Sequence, residues 1–167
     1  GYGGAGSSSS ALCANSTSTV SITTFATLPK NNLHRLLEAV STIGPAVVAA
    51  AATDWSLYLS GVFNDCKRDA RVDHAIVLVG YGSDATFGKY WRIRNSWGSD
   101  WGENGFMRLL RHDTDEGESG WCGIDHDNQA GVGCEKDPKE VPVCGMCGIL
   151  LDSAYPIGVK LSADVHM

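Results

Sequence analysis

A histidine and an asparagine stand at the ends of two apolar runs that could place them side by side. His74 precedes AIVLVGYG, a run ended by glycines that predicts a buried strand, and Asn95 ends the alternating segment KYWRIRN. On neighbouring antiparallel strands, the Asn95 amide could accept the inner N–H of the imidazole and fix its tautomer and direction. Trp97 could shield that hydrogen bond from water and so strengthen it. The alternative that the spacing leaves open is a structural core histidine and a turn asparagine.

The elements that must position these residues follow from the hydrophobic pattern. In NNLHRLLEAV, apolar residues recur at helical spacing from Leu33 to Val40, behind an asparagine that can cap the first turn. The Gly-Pro pair at 44–45 ends that helix. The next segment, AVVAAAA, predicts a buried strand, because Val48 and the Gly-Pro start outweigh the helical tendency of alanine.

The second half of the chain predicts an antiparallel sheet and then a cysteine-rich excursion. KYWRIRNSW and FMRLLRH both alternate, and the glycine-rich turn SDWGENG joins them. Residues 112–120, HDTDEGESG, predict a solvated surface loop, because the spacing of a calcium-binding loop is absent. Residues 113–146 show little apolar periodicity and hold three cysteines, which indicates an excursion pinned by disulfides. ILLDSAYPIGV predicts a last strand.

Composition narrows the function classes. The chain has 167 residues, of which 43% are hydrophobic, enough for one domain with a core. Its net charge of -6 argues against nucleic acid as a partner, because nothing would neutralise phosphates. No run of eighteen apolar residues occurs, so we predict no membrane span. The start is not a signal peptide and lacks Met, so we expect a mature, processed chain or a fragment.

Cysteine content and the first residues add two expectations. Six cysteines and a glycosylation sequon at Asn15 indicate an oxidising compartment, although free thiols and a chance sequon are the alternative. Residues 1–19 are rich in Gly, Ser and Thr and predict a flexible lead-in.

Several motifs in order resemble the second half of the papain-like cysteine proteases, the cathepsin family. The strongest are DHAIVLVGYG and YWRIRNSWGSDWGENGF, and GPAVVAA, WSLYLSGVF and CGILLDSAYPIG agree with them. The resemblance runs from about Thr27 to Val159. It implies an α+β chain with a papain-like fold, mainly the antiparallel β-rich right domain, with the helical left domain absent. We therefore assign residues 20–167 to that right domain, with a Cys-rich excursion at 113–146.

The resemblance also implies roles for the histidine, the asparagine and the two nearby tryptophans. His74 would be the catalytic histidine and Asn95 its orienting partner. Trp97 would be the aromatic shield, and Trp101 would flank the leaving-group side. His74 would be the charged partner of a thiolate–imidazolium pair and would then donate a proton to the leaving amine.

The family's nucleophile lies in a CGSCW segment that opens a long helix, and this sequence has no such segment. The similar VCGMCGI has no following tryptophan, and we favour structural disulfide cysteines there over a redox pair or a zinc site, which would need a second ligand pair. We therefore expect a companion N-terminal chain or domain that bears the catalytic cysteine, and no activity from this chain alone. No cofactor or metal is expected.

The family pattern assigns only some of the cysteines. Cys66 and Cys147 match a family disulfide, and Cys13 would link the chain to its companion or stay free. The pairing of the other three, Cys122, Cys134 and Cys144, stays open.

The resemblance places a substrate pocket as well. Its lining would be Ala49, Val72, Asp73, Ala75 and Asp152. Asp152 would lie at the far end, where a carboxylate could pair with Arg or Lys, so we expect basic as well as apolar substrate side chains. The alternatives are that Asp152 points to solvent and that Asp73 only holds its loop.

The interpretation that follows is the C-terminal part of a cysteine endopeptidase that acts on peptides or proteins. One alternative is an inactive homologue that serves as a binding or structural subunit. Another is an exopeptidase of the dipeptidyl-peptidase type, which would need an element that blocks the cleft. The family and the cysteines suggest a lysosomal, vacuolar or secreted protein.

Overall fold

The computed structural model describes residues 20–112 and 114–161, which belong to two compact units. The large unit is Ala26–Tyr155, and residues 20–25 and 156–161 belong to the small unit. In the small unit, strand β1 (Val20–Ser21) pairs antiparallel with strand β11 (Lys160–Leu161). The predicted lead-in at 1–19, with Cys13 and Asn15, lies outside the described residues.

The predicted helix is confirmed as α1, Leu33–Thr42. It begins where the Asn32 side chain accepts the backbone N–H of Arg35 at 3.0 Å, and it buries the apolar face of the pattern. It ends before Gly44, whose φ of 135° suits glycine and few other residues. The chain then enters the buried strand β3, Ala46–Ala50, as the sequence predicts.

The main element of the large unit is a mostly antiparallel seven-stranded sheet. Its other strands are β2 (Thr24–Thr27), β4 (Val62–Phe63), β5 (His74–Asp84), β6 (Gly88–Arg94), β7 (Phe106–Leu110) and β10 (Ser153–Ile157). The strand order is β2-β10-β3-β5-β6-β7-β4. Strands β10, β3, β5, β6 and β7 pair antiparallel in turn, and β4 lies parallel to β7. The predicted antiparallel sheet is therefore confirmed.

Register places the start of β5 beside the end of β3. Ala50 lies opposite His74, and Ala49 lies opposite Ala75. Large apolar side chains fill the core beneath this sheet, and the fully buried ones include Trp55, Trp91, Leu78, Ile93, Met107 and Leu109. Burial of this surface is the main stabilising term for such a sheet.

The prediction of a surface loop at residues 112–120 is wrong in part, because a short helix forms there. Helix α2 spans Asp115–Gly120, and Thr114 caps it by accepting the N–H of Gly117 at 2.9 Å. Its Glu118 is 0% exposed, so this acidic segment is not uniformly solvated. The three acidic residues of the first turn also suit the positive end of the helix.

The last strand begins later than ILLDSAYPIGV predicts. A 3-10 turn, Met146–Gly148, precedes it, and Cys147 has a φ of 58°, which no strand residue adopts. Ile149 and its two apolar neighbours are buried but lie outside the strands, and β10 begins only at Ser153.

The cysteine-rich excursion contains a two-stranded hairpin. Strand β8 (Cys122–Asp125) pairs antiparallel with β9 (Val141–Cys144), and a disulfide joins Cys122 to Cys144. We call residues 122–144 the excursion hairpin. A second disulfide joins Cys66 to Cys147, and Cys134 is a free, exposed thiol.

Candidate active site

The structure brings His74 and Asn95 together as the sequence predicts. His74 is the first residue of β5, and Asn95 directly follows β6, its antiparallel neighbour. Their side chains meet with 2.9 Å between His74 Nε2 and Asn95 Oδ1. The backbone N–H of Asn95 donates to the carbonyl of Gly105 at 2.9 Å, which holds the asparagine at the start of the turn into β7.

A second hydrogen bond fixes the direction of the Asn95 amide. Its Oδ1 also accepts the backbone N–H of Ser96 at 2.8 Å, so this atom is an acceptor. The nitrogen that faces it, His74 Nε2, must therefore carry the proton. In the neutral imidazole, Nδ1 is then the basic nitrogen, available for a proton from a nucleophile. The arrangement suits a general base held in one tautomer by an asparagine.

Two tryptophans contact the imidazole of His74, and a third packs against both of them. The Trp97 ring lies tilted over it at 5.2 Å between centroids, and Trp55 meets it edge-on at 6.3 Å. Trp101 packs edge-to-face on Trp97 at 5.1 Å, and its indole N–H donates to the carbonyl of Trp55 at 3.0 Å. Trp97 remains 40% exposed, so it covers the histidine from the solvent side. Removing water from the hydrogen bond beneath it strengthens that bond.

An ion-pair network stabilises the turn between β6 and β7, which carries Trp97 and Trp101. The guanidinium of Arg108 donates to Glu103 at 2.8 Å and to Asp84 at 2.7 Å, and the hydrogen bond to Glu103 is the main cause that raises the pKa of Arg108. Partial burial acts to raise the pKa of Glu103. Hydrogen bonds from Arg108 and from the N–H of Gly61 outweigh it and hold that pKa below its ordinary value.

Asp73 holds the loop next to the histidine. Its carboxylate accepts the backbone N–H of Ala52 at 3.0 Å and the hydroxyl of Thr53 at 3.3 Å, and Arg71 lies 3.7 Å away. These contacts are those of a loop-holding residue. Asp73 lines an open depression together with His74 and Trp97, and no sulfur atom is among the described residues that line it.

A separate groove of about 170 Å³ lies beside β3, β5 and β10. We call it the Asp152 groove. Three of the five predicted pocket residues line it, namely Ala49, Ala75 and Asp152. The Asp152 side chain has no hydrogen-bond or ion-pair partner among the described residues, so its carboxylate is free to meet a cation.

Two predicted pocket residues lie elsewhere, and five lining residues were not predicted, namely Val47, Val48, Val132, Ser153 and Ala154. Val72 is 0% exposed, because it packs inside a cluster with Ala49 and Leu151, so it cannot line the groove. Asp73 faces the depression of His74 instead. Val132, from the excursion hairpin, lines the groove in their place. Its position depends on a tertiary contact, and only the glycines on either side of it hint at close packing.

A family model identifies the family of this chain. Residues 2–132 match the model described as papain family cysteine protease. The chain belongs to the papain family of cysteine proteases. The papain-like resemblance and the expected β-rich right-domain fold are thereby confirmed, and the chain corresponds to the C-terminal part of the family's proteins.

Individual papain-family relatives agree with this assignment. The chain is 37% identical over 103 residues to cathepsin L1 of Drosophila melanogaster, covering 60% of this chain and 26% of that protein. It is 38% identical over 140 residues to vignain of Ricinus communis, covering 83% of this chain and 31% of that protein. The bromelain protease of Ananas comosus, solved with the E64 inhibitor, superposes with a TM-score of 0.58 and 36% identity, covering 81% of this chain and 50% of that structure.

This papain-family chain thus spans about a quarter to a third of the curated relatives. None of its described helices is both long enough and apolar enough to cross a membrane. Within residues 20–112 and 114–161, no group of three or more His, Cys, Asp or Glu side chains could hold a metal ion.

Proposed function

We propose that this chain supplies the histidine and asparagine of a Cys-His-Asn endopeptidase whose nucleophilic cysteine lies on a companion segment or chain. The observation that carries the proposal is the 2.9 Å contact between His74 Nε2 and Asn95 Oδ1, with the amide direction set by Ser96. Four of the described cysteines are in disulfides, and the fifth, Cys134, does not line the depression at His74. The nucleophile that the proposal requires is therefore not among the described residues that line this depression.

In the proposed reaction, His74 Nδ1 takes the proton of the cysteine thiol. The thiolate attacks the peptide carbonyl carbon, and the imidazolium then donates its proton to the nitrogen of the leaving amine as the C–N bond breaks. A water molecule attacks the resulting thioester. It gives its proton to His74, and the acid product leaves while the thiol is restored. Asn95 keeps the imidazole in one orientation through both half-reactions.

The Asp152 groove would receive the side chain of the second residue before the scissile bond. Its alanine and valine walls suit apolar side chains, and the unpaired Asp152 carboxylate suits Arg or Lys. The assembled enzyme should cleave both Phe-Arg and Arg-Arg fluorogenic peptides, and Asp152→Asn should lower the rate with Arg-Arg selectively. If the assembled enzyme cleaves Phe-Arg but not Arg-Arg, the proposal for basic side chains is wrong.

The first test of the function is the mass of the natural protein, unreduced and then reduced, with peptide mapping. We expect a companion segment or chain with a CGSCW-like sequence, and the map would show whether Cys13 tethers it and whether Asn15 is glycosylated. A companion in which that cysteine is replaced would contradict the proposed hydrolase activity. It would indicate that the chain is part of a binding subunit. Cleavage of substrates blocked at the amino terminus would separate an endopeptidase from a dipeptidyl peptidase.

The proposed compartment is the lysosome, a vacuole or the exterior. Two disulfides within the described residues support an oxidising environment of this kind. Microscopy of the full-length protein fused to an acid-stable fluorescent protein would test it, and a diffuse cytosolic signal would contradict it.

A further inference from the structure

The excursion hairpin is a firmly built element that ends at the Asp152 groove. Its base is closed by the Cys122–Cys144 disulfide and the β8–β9 ladder. Its tip is tied by the buried Asn128, whose carbonyl accepts the N–H groups of Gly131 and Gly133 at 3.0 and 2.9 Å. The Asn128 side chain also donates to the carbonyl of Pro138 at 3.0 Å. The residue between the two glycines, Val132, is therefore held in place from both sides.

The hairpin forms hydrogen bonds with the backbone of Val72, which lies two residues before His74. The N–H of Val72 donates to the buried carboxylate of Asp125 at 2.9 Å, and the carbonyl of Val72 accepts the N–H of Val132 at 3.1 Å. A Cβ added at Gly131 would collide with that same carbonyl oxygen. Both polar groups of the Val72 backbone thus pair with the hairpin at close approach.

These hydrogen bonds position the Val132 side chain against the substrate side of the sheet. Val132 packs on the apolar cluster that includes Ala49, Val72 and Leu151, and it lines the groove that also contains Asp152. Val47 and Val48 of β3 also line this groove, and the remaining aliphatic side chains are short, namely Ala49, Ala75 and Ala154. Val132 is the lining residue that the excursion hairpin contributes, so its branched side chain helps to set how much volume remains for a ligand.

We propose that Val132 is a specificity-determining residue, so that the excursion hairpin is a wall of the substrate groove. This rests on the proposed function insofar as the ligand is a peptide. Replacing Val132 by Ala would widen the groove and favour an aromatic side chain over a branched aliphatic one. Replacing it by Phe would fill the groove and exclude both. Changes of a few methyl groups in such a pocket alter selectivity by about tenfold.

The experiment measures binding before chemistry. Full-length protein, with its reactive thiol blocked by methylthiolation, is titrated calorimetrically with blocked Leu-Arg and Phe-Arg amides. We expect Val132→Ala to raise the Phe-to-Leu affinity ratio by about tenfold and Val132→Phe to weaken both peptides by at least that factor. Val132→Thr keeps the shape and should leave the ratio nearly unchanged.

The matched control is Ile124→Ala, which truncates another aliphatic residue of the same hairpin at a side chain that is 37% exposed. It should leave the ratio unchanged. An unchanged ratio in Val132→Ala together with unchanged affinities in Val132→Phe, or no binding of either peptide by the wild-type protein, would overturn the proposal. Hydrolysis by the unblocked protein is scored separately. A shifted binding ratio without any hydrolysis would support Val132 as a wall of the groove and would contradict the proposed hydrolase activity.

Discussion

The Glu118 carboxylate accepts the indole N–H of Trp91 at 2.8 Å, and both side chains are 0% exposed. The other carboxylate oxygen accepts the backbone N–H of His112 at 2.9 Å and contacts the His112 ring nitrogen Nδ1 at 2.6 Å. One acidic side chain from helix α2 therefore fastens that helix to the middle of β6 and to the end of β7. A buried carboxylate is tolerated here because hydrogen-bond donors surround it.

Replacing Glu118 by Ala should destabilise the protein strongly. The change leaves the indole N–H of Trp91 and the backbone N–H of His112 buried without partners, at a cost of about 3 kcal/mol in the free energy of unfolding. Urea unfolding of the full-length protein measures it. Glu116→Ala is the matched control, because Glu116 is exposed on the same helix, and it should change stability by less than about 0.5 kcal/mol. Equal effects of the two substitutions would show that the hydrogen bonds of Glu118 are not the cause of the lost stability.

Replacing Asn95 by Ala should lower kcat far more than it raises KM. The imidazole would lose the acceptor that fixes its tautomer, while the Asp152 groove would stay intact, and we expect a loss on the order of 10²-fold in kcat. Steady-state kinetics of the full-length enzyme would measure both constants. Asn64→Ala alters an exposed asparagine and should leave them unchanged. A loss confined to KM would show that Asn95 acts on substrate binding instead.

The two disulfides should differ in their effect on stability. Cys66–Cys147 closes a loop with a sequence separation of 81, and Cys122–Cys144 closes one of 22. The loop-entropy model gives about 4.5 and about 3.4 kcal/mol respectively. Pairwise replacement by serine, followed by urea unfolding, should reproduce this order, and replacing the free Cys134 should have almost no effect. The reverse order would indicate that entropy of the unfolded chain is not the main term.

Stability should fall in acid partly through Glu103. Its pKa in the folded protein lies below the ordinary value of 4.5, so its ionised form stabilises the fold above that pH. This contribution is lost as the pH falls through the lowered pKa and the carboxyl takes up a proton. Glu103→Gln should therefore be less stable than wild type near neutrality, with the difference shrinking below pH 4.5. A difference that stays constant with pH would rule out the ionised carboxylate as the cause.

The His74–Asn95 pair could be predicted because it depends on local signals. Both residues adjoin strongly patterned strands, and strands that follow one another along the chain usually pair antiparallel when the connection is short. Helix α1 was predictable for the same reason, since its apolar spacing and its asparagine cap agree.

The rest depends on contacts between distant parts of the chain. Helix α2 has two glycines in six residues, and its burial comes from Glu118 meeting Trp91, 27 residues away. Val132 reaches the Asp152 groove only because the excursion hairpin docks on Val72. Hydrophobic periodicity carries no information on such contacts, which is why a surface loop was predicted. Val72 was assigned to the groove from the family resemblance, which does not account for the excursion hairpin that packs on it.

Cys144 and Cys147 of the CGMC segment lie three residues apart but form disulfides with different partners. Cys144 bonds to Cys122, and Cys147 bonds to Cys66. A protease that cuts the excursion hairpin, for example after the exposed Lys136, would open its tip without releasing either strand. The nicked chain would gain one water in mass, migrate as a single species without reducing agent, and separate into two pieces only with it. A single cut of this kind would leave both strands of the excursion hairpin, which pairs with the backbone of Val72, covalently attached. The two pieces would therefore stay together after cleavage.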